Sequence, residues 1–228
     1  MLKKYFCKEN DLNEVGIDEV GRGCLFGPVC VAAVSLDFIN LVDDPLLSEI
    51  KDSKKLSVKK KDKLYDFIIK NSKYSVQFID HEIIDKINIL QATLQCMHLS
   101  LDDIDDKINI DLILVDGNHF PPYFSSKQDK FLKHECIING DNEYINIAAA
   151  SILAKVTRDR YIVELCEKNP DLNKYDLQNN KGYGTKKHLL GIKEYGIVEG
   201  HRKSFKPCSK SSLGTCGLPN PAAARLTR

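Results

Sequence analysis

Residues 29–36 form a near-continuous apolar run rich in valine, preceded by the glycine- and proline-containing stretch 21–28. A short run of that kind is a strand buried on both faces, inside a sheet rather than at its edge. Residues 13–20 read as a second strand, so the two make a buried hairpin at the centre of a sheet. The strand at 13–20 turns polar abruptly. Val15, Gly16 and Ile17 give way to the adjacent acids Asp18 and Glu19, then Val20 and the turn Gly21-Arg22-Gly23. Neighbouring side chains on a strand point to opposite faces. Asp18 and Glu19 can therefore serve one site only where the pleat gives way at the strand end.

A carboxylate pair at that position suits a divalent cation, because hard cations take oxygen ligands. The glycines leave backbone amides open to a phosphate or sugar, with Arg22 between them. Acids for metal beside amides and arginine for phosphate outline a phosphodiester-cleaving site. Two other phosphate motifs fit poorly. A P-loop would end in Lys-Ser/Thr, which is missing, and Asp18 and Glu19 sit where phosphates would be cradled. Gly21, Gly23 and Gly27 miss the dinucleotide spacing by one residue. Taken alone, the acid pair is a strand ending in a solvated turn; the later stretches decide against that.

The run Gly16-Ile17-Asp18-Glu19-Val20-Gly21-Arg22-Gly23 resembles the opening signature of type 2 ribonucleases H, the bacterial ribonuclease HII family. Later stretches are similar to the family's further motifs, in the family's order: Asp52-Ser53-Lys54-Lys55-Leu56, Val115-Asp116-Gly117, residues 149–160, residues 180–188 and residues 200–207. The resemblance covers about residues 13–207 and implies an α/β, ribonuclease H-like fold, a central mixed β-sheet flanked by helices with a helical C-terminal part. It implies a catalytic acidic cluster of Asp18, Glu19, Asp116 and Asp141 that binds two Mg²⁺ or Mn²⁺ ions. It assigns substrate binding to Gly21, Arg22, Gly23, Lys54 and Tyr183. The 21–23 backbone would read a 2′-hydroxyl, Tyr183 would stack on a neighbouring sugar, and the basic loop would hold the nucleic-acid backbone at Lys54 or Lys55. The implied reaction is cleavage 5′ to a ribonucleotide, in an RNA–DNA hybrid or embedded in duplex DNA. The products carry 3′-hydroxyl and 5′-phosphate ends, and the task is removal of misincorporated ribonucleotides and RNA primers. A monomer is expected; a sliding-clamp partner is not readable from the sequence.

The residues support parts of this independently. Residues 111–116 form a buried strand running into Asp116 and Gly117. Ligand sites in α/β sheets gather at such carboxyl ends, so Asp116 sits where a third acid belongs. For the fourth, the family uses the aspartate shortly before the long helix 145–168, which is Asp141. The competitor Asp159 lies ~20 Å along that helix from its start and suits a structural ion pair better. Asn142-Glu143-Tyr144 depart from the small or basic residues often found there in the family.

The remaining elements follow from caps and periodicity. Ser57 caps a helix reaching about residue 70, with Leu64, Phe67 and Ile68 inward. A strand at 74–79, a short helix at 80–87 and a helix at 90–101 follow. The last has Leu90, Leu94, Met97 and Leu101 on its apolar face and ends at a solvated acidic run, 102–106. Residues 121–130 read as a loop and 135–138 as a strand. Helix 145–168 carries Ala148, Ala149, Ala150 and Ser151, which allow close packing on a sheet. The 180–188 turn leads into a helix ending near residue 195. His81 and His98 read as helix-surface or core residues rather than ligands.

Composition adds limits. A net charge of +1 does not announce a nucleic-acid binder, yet residues 51–63 hold seven lysines against two aspartates and residues 181–210 are also basic. Segregated charge can focus a basic groove on a nearly neutral protein. Eight cysteines without a C-x-x-C pair, and six histidines without zinc spacing, point to reduced buried thiols. No apolar run approaches the ~20 residues of a membrane span, and no signal peptide is read at the start, so a cytoplasmic protein is expected. Residues 1–207 are expected to be the catalytic domain and 208–228 a disordered tail, with 219–228 having the composition of appended sequence. No sizeable extra domain is expected before Gly16, which argues against the related type 3 enzymes with their N-terminal appendage. A different nuclease on the same acidic scaffold and a catalytically silent hybrid-binding module are the competing classes.

Overall fold

The computed structural model describes residues 2–7, 12–41, 44–51 and 53–210. The main sheet is built from β1 (Glu14–Val20), β2 (Val29–Leu36), β3 (Ser72–Ile79), β4 (Leu112–Asp116) and β7 (Lys133–Ile137), in the order β3-β2-β1-β4-β7. β1 pairs antiparallel with β2 and parallel with β4, so the sheet is mixed and the expected hairpin lies at its centre. β5 (Phe124–Ser125) and β6 (Lys130–Phe131) form a separate small hairpin inside the stretch read as a loop.

Burial on both faces explains the apolar run of β2. Cys30, Ala32, Val34 and Leu36 face a core built with α1 (Val58–Lys70) and α4 (Ile145–Lys168). Val29, Val31 and Ala33 join Val15 and Ile17 of β1 in a second core under α3 (Ile89–Asp105), which α2 (His81–Ile87) precedes. A third core forms the helical C-terminal part. It packs Phe26, Ile162, Cys166, Leu172 and Tyr175 with residues around α5 (Leu177–Asn180), α6 (Lys186–Tyr195) and α7 (Lys206–Ser209). The mixed sheet flanked by helices, with its helical C-terminal part, is the α/β architecture expected.

Local signals worked where they were strong. The Ser57 side chain accepts from the Lys60 amide and opens α1, whose buried residues are Leu64, Phe67 and Ile68. α4 has the anticipated bounds. Three expectations need correction. Leu90 is 41% exposed, because α3 starts at the Asn88 cap and turns Ala92, Cys96 and Met97 inward. The acidic run does not end that helix as a wholly solvated stretch: Asp105 is buried and accepts from Ser125 Oγ and Gln128 Nε2. Cys208, expected to begin the tail, is buried in α7, while residues 211–228 lie outside the described residues. The described cysteines carry no disulfide, and Cys24, Cys30, Cys96, Cys166 and Cys208 are buried.

α4 lies on β1 through a glycine. A Cβ at Gly16 would fall 2.3 Å from the backbone C of Asn146 and 2.3 Å from the backbone N of Ile147. Asn146 locks the same place: its side chain donates to the Glu14 carbonyl and accepts from the Leu36 amide. Neither backbone can yield without lifting the helix. Gly16→Ala is expected to cost about 3 kcal/mol of stability, read as a lower urea midpoint with an unchanged slope.

Candidate active site

Three strand ends converge. The β1–β4 pairing stops at Ile17–Val115, whereas the β1–β2 pairing continues to Val20–Cys30. β4 ends at Asp116, opposite Ile137 of β7. Beyond Ile17 the flank of β1 toward β4 is therefore open. Asp18 shares the α4 face of the strand with Gly16, and Glu19 follows Val15 and Ile17 on the other face. Both border the gap above Asp116, and both feel its charge. The pleat problem posed by adjacent acids is solved by stopping the neighbouring strand early.

Asp18 is buried and its carboxyl is held well above the ordinary range, by burial first and then by Glu19 and Asp116. The Ser151 hydroxyl and the Glu19 amide, which donates to Oδ1 at 2.7 Å, oppose the rise. Glu19 is also raised by burial, against a hydrogen bond from Arg22 Nη1 to its Oε1 at 3.1 Å. Asp116 is raised by burial and by Asp141, and opposed by the Gly140 amide, 2.7 Å from its Oδ1, and by Lys54. Asp141 itself is buried in the short turn Gly140–Asn142 and accepts from Asn142 Nδ2. The four acids thus form one electrostatic group. Asp159 instead pairs with Lys155 at 2.8 Å.

Desolvated like charges with oxygen donors fit a hard divalent cation: the set is all carboxylate and lacks a compensating buried cation of its own. Asp18, Glu19, Asp116 and Asp141 would hold it. Among the described residues, three ligand atoms come within 4.8 Å of one another in the group His81, Glu82 and Glu199, and no three of the four acids stand that close. There the buried His81 Nε2 lies 2.9 Å from Glu199 Oε1 and 3.2 Å from the Gly200 amide. Its backbone bond makes His81 a fastener of the 198–202 loop. His98 lies against the rings of Phe120 and Tyr123.

The Gly21-Arg22-Gly23 turn and the Tyr183 turn are knitted together behind the acids. Cys24 and Tyr183 form an antiparallel bridge, and the Leu25 amide donates to the Gly182 carbonyl. Tyr183 is 38% exposed, with Lys155 Nζ 5.6 Å from its ring centre. Arg22 and Gly23 are exposed, and Lys54 is exposed on the short helical turn Ser53–Lys55.

Several supporting residues gave no signal of their own in the sequence. Ser53 Oγ lies 3.0 Å from Ser151 Oγ, behind Asp18. Buried Arg158 donates to the carbonyls of Phe26, Pro28 and Lys181, tying the stretch that follows Gly23 and the turn that precedes Tyr183 to α4. His188 Nδ1 lies 3.0 Å from the Tyr183 carbonyl, and its Nε2 lies 3.1 Å from His201 Nε2. Burial first, and then His188, push His201 down to about 3, so this pair is neutral at physiological pH. Arg158 and His201 lay inside recognised motifs; the signal that would reveal their roles is tertiary.

The raised carboxyls tie stability to pH. Between the ordinary carboxyl range and the raised native value, the native chain holds the extra proton. Stability from that proton is full at low pH and falls as pH rises through the window. In EDTA, Asp18→Asn is expected to be more stable than the wild type at pH 8 by roughly 1 kcal/mol or more. The gap should close toward ~pH 4, where the native carboxyl carries its own proton. Thermal melts at both pH values check this.

The family model for Ribonuclease HII matches residues 15–208. Ribonuclease HII of Rickettsia akari is 47% identical over 193 residues, covering 85% of this chain and 91% of that protein. Ribonuclease HII of Christiangramia forsetii is 45% identical over 209 residues, 90% of this chain and 95% of that one. Among solved structures, the PCNA:RNase HII complex from Archaeoglobus fulgidus aligns with a TM-score of 0.64 at 28% identity, over 84% of this chain and 94% of that one. Ribonuclease H2 from Pyrococcus horikoshii aligns with a TM-score of 0.67 at 25% identity, over 86% of this chain and 95% of that one. Matches of this extent, on a sheet that gathers its acids at the ends of β1 and β4, lead to one conclusion: the chain belongs to the ribonuclease HII family.

Proposed function

We propose that the chain, through one catalytic unit that extends through α7, is a metal-dependent endonuclease. It cleaves the RNA strand of RNA–DNA hybrids and cuts 5′ to single ribonucleotides in duplex DNA. The observation that carries this reading is the electrostatic convergence of Asp18, Glu19, Asp116 and Asp141 beside two exposed recognition turns. Asp18, Glu19, Asp116 and Asp141 would hold two Mg²⁺ or Mn²⁺ ions. When bound, such ions polarise the phosphoryl group, lower the pKa of the attacking water and stabilise the leaving oxygen. That chemistry produces a 3′-hydroxyl and a 5′-phosphate.

The chain's own residues do the rest. Ser151 and the Glu19 amide orient Asp18, and the Gly140 amide orients Asp116. The backbone of Gly21, Arg22 and Gly23 receives the 2′-hydroxyl, the group that separates RNA from DNA. Tyr183 offers a partly exposed ring to the neighbouring sugar, and Lys54 offers charge to a phosphate. Arg22 is engaged with Glu19, so its role includes holding that acid. A monomer suffices for this chemistry, and its use is removal of misincorporated ribonucleotides and RNA primers in the cytoplasm. No helix in the described residues is long and apolar enough to cross a membrane. The Archaeoglobus fulgidus neighbour was solved as a PCNA:RNase HII complex, so a sliding clamp is the partner we propose for this chain too.

The test is a duplex of DNA containing one ribonucleotide, incubated with Mg²⁺ or with EDTA. A cut 5′ to the ribonucleotide is expected only with metal, and Asp116→Asn should slow it by roughly 100-fold or more. Cutting of all-DNA duplex instead would favour a different nuclease. Binding without turnover would favour a silent hybrid-binding module.

A further inference from the structure

Arg202 is fully buried behind the Gly21-Arg22-Gly23 turn. Its Nε donates to the Gly27 carbonyl at 3.0 Å and its Nη1 to the Arg22 carbonyl at 2.8 Å. Its own amide donates to the Leu25 carbonyl at 2.9 Å, and its guanidinium carbon lies 5.1 Å from the Phe205 ring centre. The segment on either side is pinned to α2. His81 Nε2 meets the Gly200 amide at 3.2 Å, and Asp85 accepts from the amides of Lys203 and Ser204 at 2.8 and 2.9 Å. Arg202 is therefore a fixed point against which the turn is set.

A trans peptide unit points its C=O and N–H in opposite directions. The Arg22–Gly23 peptide is trans, and its carbonyl is drawn inward by Arg202. The Gly23 N–H on the same unit must then point away from the buried guanidinium. Gly23 is exposed, a Cβ there would meet nothing within 4 Å, and its amide makes no hydrogen bond within the described residues. An outward amide donor with open space in front of it is what a sugar hydroxyl needs. We propose that Arg202 is a positioning residue for ribonucleotide recognition: by holding the Arg22 carbonyl it aims the Gly23 amide at the substrate's 2′-hydroxyl. This rests on the function proposed above, and assigns to a buried residue the specificity that its surface turn expresses.

The experiment compares two constants in Mg²⁺: KM for a duplex with one ribonucleotide, and the inhibition constant of the same duplex made entirely of DNA. Arg202→Lys keeps the positive charge but loses the fork that reaches both carbonyls. It is expected to raise KM roughly tenfold while leaving the all-DNA inhibition constant within about twofold of wild type. Gly23→Pro deletes the amide hydrogen with Arg202 in place and should give the same split, so the test stands if Arg202→Lys fails to fold. An unchanged KM in folded Arg202→Lys, or both constants rising by one factor, would overturn the inference, as would a Gly23→Pro enzyme that keeps the wild-type ratio. A wild type that never distinguishes the two duplexes would instead overturn the proposed function.

Discussion

The close approach of α4 to β1 at Gly16 is the constraint on which the rest depends. From Asn146, over Gly16, to Arg158, against Gly21, the helix climbs ~18 Å while the strand climbs ~17 Å. Helix and strand therefore run alongside each other with matched rise. Every level has a partner: Asn146 ties the strands at the base, Ser151 meets Asp18, and Arg158 meets the recognition turns. A shift of the helix would displace the acid and the turns together.

On that frame the site is built against its own electrostatics. Burial and mutual repulsion raise Asp18, Glu19 and Asp116, and Arg22 and Lys54 offset this only in part. Such a group is destabilising to the empty fold and favourable to a divalent cation, which relieves the repulsion among desolvated carboxylates. The two buried arginines follow the opposite logic. Arg158, and Arg202 through its Nε and Nη1, donate to backbone carbonyls, which fixes the shape of two surface turns without occupying the surface.

Much of this was legible in the sequence because it is local. Apolar runs at 29–36 and 111–116, the Ser57 cap and the alanines of 148–150 each act on their own neighbours, and the strands and helices fell where those signals put them. Adjacent Asp18 and Glu19 read as a place where their own strand gives way; instead β1 stays paired with β2 through Val20, and the gap comes from β4, whose pairing stops at Ile17–Val115. What stayed illegible depends on partners far along the chain. Asp105 reads as one more solvated acid until Ser125 and Gln128 cover it. His188 and His201 read as scattered histidines until the fold stacks them under Tyr183. The roles of Arg158 and Arg202 appear only once the carbonyls that surround them are in place.

The acids at the ends of β1 and β4 are the cation site we propose for this protein. The direct measurement is the thermal midpoint as Mn²⁺ is titrated at pH 6 and pH 8, for the wild type and Asp116→Asn. The midpoint is expected to rise with Mn²⁺, to rise more at pH 8 because protons compete with the cation for the raised carboxyls, and to stay flat in Asp116→Asn. A rise of the same size in Asp116→Asn would move the cation elsewhere, with His81, Glu82 and Glu199 the next group to mutate. No rise at either pH would contradict the claim outright.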